Sequence, residues 1–303
     1  MPQPPPSATK ATWIAKAHRD LRGKDPATLD FTLAGRTYTP FHHREDQPHP
    51  PQPLRRGNPW KIGVRITEAD PVKANQLALQ ALMGGAEAVW FTRPGATAAP
   101  LAAELDALLK DILTDIVDIR IDIDDRSYPT TPLAHQITSA VQSSAGSFPL
   151  SLRGCLRRWG PGGENRRPRL YPPTDPNFFL TLATFRAARR CWRSIAENLD
   201  EERDCELIAL VPAALENVHT NKIAQTVTAT AAILGGADVV YIEPSDPADA
   251  TAFSARIARN VQHLLREESG LGRVGDPAAG SYFFETLTED VYQDLRAHIP
   301  ALQ

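Results

Sequence analysis

Ala224-Gln225-Thr226-Val227-Thr228-Ala229-Thr230-Ala231-Ala232-Ile233-Leu234 carries a helical pattern and halts at Gly235-Gly236, and a β-branched run, Ala237-Asp238-Val239-Val240-Tyr241-Ile242-Glu243, follows at once. Phe253, Ile257, Val261, Leu264 and Leu265 then recur at helical spacing. Gly270 and Gly272 close that helix. Asp276-Pro277-Ala278-Ala279-Gly280 leads into Ser281-Tyr282-Phe283-Phe284-Glu285, which reads as a second strand. Helix, glycine stop, strand, helix, glycine stop, strand is α/β winding, and its usual consequence is a parallel sheet.

The same unit is echoed upstream. Leu79-Gln80-Ala81-Leu82-Met83-Gly84-Gly85-Ala86-Glu87-Ala88-Val89-Trp90-Phe91 matches 230–242 in kind, position by position. A helix that ends against a strand needs a left-handed residue and a tight turn, which glycine supplies. The echo is either internal repetition or a junction that α/β proteins reuse. Both favour the same architecture.

Outward from these units the chain divides in two. Residues 1–59 read as an N-terminal tail, a short amphipathic helix carrying Trp13, Ile14, Ala17 and Leu21, and a Pro/His-rich linker from Pro40 to Pro59. Trp13, Leu21 and Phe31 are therefore expected outside the folded core. Residues 60–303 read as a (β/α) barrel domain. Its strands are expected at Lys61–Ile66, Ala86–Thr92, Ile116–Ile123, Phe148–Arg153, Glu206–Val211, Ala237–Glu243 and Ser281–Glu285. The expected fold is α/β, a TIM-type (β/α) barrel that is shortened or incomplete, with an extended N-terminal arm. A doubly wound open sheet is the alternative, but no GxGxxG follows any strand. Gly154–Asp175 reads as a basic, mobile loop. The helix Asn177–Leu199 is expected to bury Phe178, Leu182, Phe185, Trp192 and Ile195, and to turn Arg186, Arg189, Arg190 and Arg193 to water.

The chain has 303 residues, 42% of them apolar, and a net charge of −3. That is enough to bury a large core, and the near-balance of charge gives no sign of a nucleic-acid surface. No apolar run approaches a membrane span, and Met1–Lys10 lacks the apolar centre of a secretion signal. Cys155, Cys191 and Cys205 form no ligand spacing and suit a reducing, cytoplasmic setting. His42, His43 and His49 lack a carboxylate or thiol framework for a metal. No GxSxG, phosphate loop or HExxH is present.

The strands alternate in an unusual way. Ile62, Val64 and Ile66 oppose Gly63 and Arg65; Val117, Ile119, Ile121 and Ile123 oppose Asp118, Arg120 and Asp122. Phe148, Leu150 and Leu152 oppose Ser151 and Arg153, while Val240 and Ile242 oppose Tyr241 and Glu243. Covering helices claim the apolar face. In a barrel, Arg65, Arg120, Asp122, Arg153 and Glu243 therefore converge inside, as an ion-pair network or a wet channel. In an open sheet the same residues would meet solvent.

Several stretches resemble the methylmalonyl-CoA mutase family. Phe253-Ser254-Ala255-Arg256-Ile257-Ala258-Arg259-Asn260, Glu267-Glu268-Ser269 and Asp276-Pro277-Ala278-Ala279-Gly280-Ser281-Tyr282 are similar to the barrel end of these enzymes, as is Ala231–Asp238. The run Phe178–Trp192 and the leader Asp20-Leu21-Arg22-Gly23-Lys24-Asp25-Pro26 with Leu29-Asp30-Phe31 are similar to the small, non-catalytic subunit. The resemblance implies a small-subunit-like barrel whose leader wraps a large subunit, and a polar interior like the one through which the family threads the CoA arm. The family's catalytic chains hold adenosylcobalamin through Asp-x-His-x-x-Gly and carry a Tyr-His pair after a mid-barrel strand. No Asp-x-His occurs in these 303 residues, and Asp122–Tyr128 contains no His. The expectation is therefore a chain with no catalytic residues and no cofactor of its own, paired with a cobalamin-binding methylmalonyl-CoA mutase large subunit. The rival is an independent barrel enzyme or binding protein acting on an acyl-CoA or another anionic small molecule.

Overall fold

The computed structural model describes residues 9–46, 53–55, 57, 59–92, 104–122, 169–198, 204–246 and 251–297. In chain order these include helix α1 (Lys10–Asp20), strands β1 (Phe31–Leu33) and β2 (Arg36–Tyr38), then β3 (Lys61–Ile66), α2 (Pro71–Met83), β4 (Ala88–Thr92), β5 (Asp118–Asp122) and β6 (Arg169–Leu170). The second half contributes α3 (Phe178–Asn198), β7 (Glu206–Val211), α4 (Val218–Leu234), β8 (Val239–Ile242), α5 (Ala252–His263) and α6 (Tyr282–Ala297).

Strands β3 to β8 form one parallel sheet in the order β5-β4-β3-β8-β7-β6. A doubly wound sheet would grow outward from its first strand on both sides. Here the first strand, β3, lies between the second, β4, and the last, β8, so successive strands step the same way round. That is the cyclic order of a barrel. Curvature is fixed independently by side chains. Four strand spacings separate β5 from β7, roughly 19 Å in a flat sheet, yet Arg120 of β5 reaches Glu206 of β7 at 3.2 Å. The sheet is a curled half-barrel surrounded by helices.

The apolar faces of the strands point outward, under the helices. Ile66, Val89 and Phe91 pack with Ala74 and Ala78 of α2. Leu207, Ala209, Val240 and Ile242 share a core with Phe185 of α3, Ala232 of α4 and Leu287 of α6. Each large side chain so buried contributes about 1.5–3 kcal/mol. Helix starts are capped where the sequence supplies acceptors: Asp70 takes the amides of Val72 and Lys73, and Asn217 those of His219 and Thr220. At both Gly-Gly junctions the second glycine is left-handed, φ +88° at Gly85 and +99° at Gly236. The first glycine of the second pair has a packing reason as well. A Cβ at Gly235 would sit 2.7 Å from the Leu182 carbonyl oxygen.

Several expectations need correction. Ser281–Glu285 is not a strand: Tyr282 opens α6, and the Glu285 amide donates to the Ser281 carbonyl at 2.9 Å. Its aromatics pack outward, Phe283 against Phe31 and Tyr38 and Phe284 against Phe178. Arg186 and Arg189 do not face water. Helix α3 is covered by α6 and by the strand-end loops, and these two arginines are among the most deeply buried side chains described. Arg186 pairs with Asp276 and Glu285 and donates to Thr288; Arg189 pairs with Asp204 and Asp238. Arg169, placed in a mobile loop by sequence, is a buried strand residue.

The N-terminal segment is docked on the chain itself. Trp13 lies on Phe41, with ring centroids 3.7 Å apart, away from the interior. Leu21 is half-buried, and Phe31 joins the outer core through Phe283. Leu33 and Tyr38 are buried in that core, Arg36 pairs with Asp290 at 3.1 Å, and the Tyr38 hydroxyl donates to Asp290. The linker is anchored as well: the Leu54 amide donates to Asp276, Arg193 to the Leu54 carbonyl, and Arg55 pairs with Asp238. The expected strand Phe148–Arg153, residues 154–168 and the tail 1–8 lie outside the described residues.

Candidate functional site

Period-2 alternation sends the polar side chains of β3, β4, β5, β6, β7 and β8 to the concave face, and they meet there in three levels. At the strand starts, Asp118 of β5 accepts from Lys61 of β3 at 3.0 Å, from Arg169 of β6 at 3.0 Å and from Arg120 at 3.3 Å. Glu206 of β7 accepts from Arg169 at 2.8 Å and Arg120 at 3.2 Å. Burial works to raise the Asp118 carboxyl. The charges of Arg120, Arg169 and Lys61 outweigh it and hold that carboxyl well below the usual carboxylate range. Burial likewise opposes the Arg120 charge, and its phenolic and anionic neighbours overcome that, so Arg120 is a permanent cation.

The middle level is aromatic. The Arg120 guanidinium stands over the Tyr241 ring, 5.3 Å from its centroid, Trp90 meets Tyr241 edge-on at 5.2 Å, and Tyr171 meets Trp90 at 5.7 Å. Gly63 makes room for this stack: a Cβ there would fall 2.6 Å from the Tyr241 ring. Ala88, Ile208 and Val239 fill in around it, all fully buried. The polar atoms of this level are poorly served. Nε and Nη1 of Arg120, Nε1 of Trp90 and the Tyr241 hydroxyl are buried without a hydrogen-bond partner.

At the strand ends, the C-terminal mouth where barrel sites form, Arg65 pairs with Glu243 and donates to Thr92 at 2.8 Å. Its guanidinium lies 5.5 Å from the Trp90 ring centroid. Both charged side chains are about a quarter exposed.

Of the residues singled out by sequence, Arg65 and Glu243 are thus partners, and Arg120 is in the lower cluster. Asp122 is opposite Thr92 in register at the mouth, its side chain outside the described set, as is Arg153. Sequence reasoning did not single out Asp118, Arg169, Glu206, Trp90 and Tyr241. The alternation that selected Arg120 places Asp118 beside it and Tyr241 beside Glu243, so the signal was present. What was missing was the pairing across the barrel. The arrangement can hold a fixed charge or an anion among buried side chains, and the mouth can present a guanidinium–carboxylate pair.

Residues 173–303 match the family model described as methylmalonyl-CoA mutase. A probable mitochondrial methylmalonyl-CoA mutase of Caenorhabditis elegans is 35% identical over 133 residues, 41% of this chain and 18% of the relative. A probable methylmalonyl-CoA mutase small subunit of Mycobacterium bovis is 39% identical over 127 residues, 38% of this chain and 21% of the relative. The mitochondrial methylmalonyl-CoA mutase of Bos taurus is 35% identical over 126 residues, 38% and 17% of the two chains. The chain therefore spans about a fifth of the length of the relatives it matches. No helix among the described residues is long and apolar enough to cross a membrane.

Proposed function

We propose, from the match of residues 173–303 to the methylmalonyl-CoA mutase family, that this chain is a small-subunit-like component of such a mutase, non-catalytic itself. Its role is to support a large subunit that binds adenosylcobalamin and interconverts methylmalonyl-CoA and succinyl-CoA. The observation that carries the reading is the close packing of the described part of the interior. Tyr241, Ile208 and Val239 are fully buried on the axis side, and the carboxylates below them, Asp118 and Glu206, are paired with Arg169. On this reading adenosylcobalamin is held by the partner and not by this chain. The likeness to a relative named as a small subunit supports the same assignment.

The test is co-expression with a cobalamin-binding mutase large subunit from the same source. A stoichiometric complex on size exclusion is the expected result. A chain that stays monodisperse and never associates defeats the proposal. Turnover of methylmalonyl-CoA by the isolated chain with added cofactor would defeat its non-catalytic part.

One observation favours the alternative of an independent acyl-CoA or anion-binding barrel: Arg65 is partly exposed at the mouth, beside an aromatic wall. A saturable thermal shift with acyl-CoAs, abolished in Arg65→Met, would favour it.

A further inference from the structure

We propose that the mid-barrel level is a binding site for a single small oxyanion of carboxylate size, centred on Arg120 and distinct from the strand-end mouth. A guanidinium has five N–H donors. Arg120 satisfies two carboxylates through one nitrogen, Nη2, at 3.2 and 3.3 Å, both long for charge-assisted bonds. Its Nε and Nη1 are unpartnered although the side chain is only 4% exposed. Two further polar groups on the same stack, the Tyr241 hydroxyl and Trp90 Nε1, are buried and unpartnered too. Buried donors without acceptors are uncommon in folded proteins, and three residues in mutual contact form a consistent set: all can donate, and one is a permanent cation. The complementary ligand accepts several hydrogen bonds and carries one negative charge. It is small, because Ala88, Ile208 and Val239 close the sides, and these donor atoms are covered by neighbouring atoms. Entry therefore requires Tyr241 or Trp90 to turn. Carboxylates already occupy the other side of Arg120, so a polyanion is disfavoured.

The experiment uses the full chain in a zwitterionic buffer at constant ionic strength, titrated with formate against gluconate. Gluconate is also a carboxylate and is too bulky for the site. Thermal unfolding of the wild type should rise saturably with formate and stay flat with gluconate. Tyr241→Phe removes only an unpartnered hydroxyl, so in gluconate its melting temperature should equal or exceed that of the wild type. Its apparent formate affinity should fall roughly tenfold, the loss of one hydrogen bond to a charged ligand. Equal responses to the two anions in the wild type overturn the proposal, as does an unchanged formate affinity in Tyr241→Phe. Should Tyr241→Phe fail to fold, Trp90→Phe carries the same comparison with the same outcomes. Failure to bind a mutase large subunit would leave this proposal standing, since it rests on the interior alone.

Discussion

Replacing Asp118 with asparagine removes the negative charge on which three cations converge at the strand starts, and the cost can be set out contact by contact. Arg120 and Arg169 are the costly partners, at 3.3 and 3.0 Å and both buried; Lys61, at 3.0 Å, is about half exposed and counts for little. Glu206 then faces both arginines alone. Breaking a buried pair by removing one partner costs about 3–5 kcal/mol. An asparagine can still accept from one arginine, so about 3 kcal/mol is expected, read from urea unfolding at pH 7. The same change alters the response to acid. Asp118 titrates well below the usual range when folded and near 3.9 when unfolded. A depressed folded pKa gives stability that is complete above the unfolded value and is lost as pH falls toward the folded one. The wild type should therefore lose stability below about pH 4, and Asp118→Asn should lose less over the same range. A cost below about 1 kcal/mol, the level of an exposed pair, together with unchanged acid limbs, would refute the buried network.

Arg186→Met should cost about 3–5 kcal/mol in chemical denaturation, because it strands Asp276 and Glu285; a change within 0.5 kcal/mol, the usual range of a surface substitution, would contradict this. Gly63→Ala should destabilise by about 1–3 kcal/mol through overpacking against the Tyr241 ring and the Val240 carbonyl oxygen, with partial recovery when Tyr241→Leu is added; equal stability of Gly63→Ala and wild type would show that the ring is not wedged there. Burial pushes the Cys191 thiol up to about 12 and Cys205 higher still. In a Cys155→Ser background a thiol reagent at pH 8 should react only as fast as the protein opens, and immediate labelling would place these thiols at the surface.

The strands were legible because each is a short apolar or alternating run rich in β-branched residues. Lys61–Ile66 and Glu206–Val211 are as read, and Val239–Ile242 and Asp118–Asp122 differ only at their ends. Tyr282-Phe283-Phe284 misled because three aromatics with a Ser and a Glu have strand propensity. The deciding signal, Leu287, Val291 and Leu295 at helical spacing, lies after the run. Arg186 and Arg189 were misread for a different reason. Helical periodicity identifies the apolar stripe but cannot tell that a second helix, α6, covers part of the polar face and supplies Glu285. The interior shows the same limit: local alternation names Arg120, Arg65 and Glu243 but not which of them pair, and Glu206, the partner of Arg120, becomes visible only when the sheet curls.

The strand order has a consequence for how the chain is made. β3 is the first strand of the sheet, and one of its two neighbours is β8, with Lys61 opposite Val239 and Ile62 opposite Val240. During synthesis that edge of β3 has no native partner until nearly all of the barrel has left the ribosome. The exposed backbone is a template for pairing with other chains, and such late, non-local closure is slow. Expression at lower temperature or with chaperones should therefore raise the soluble yield more than any surface substitution, and chains truncated before residue 239 should aggregate.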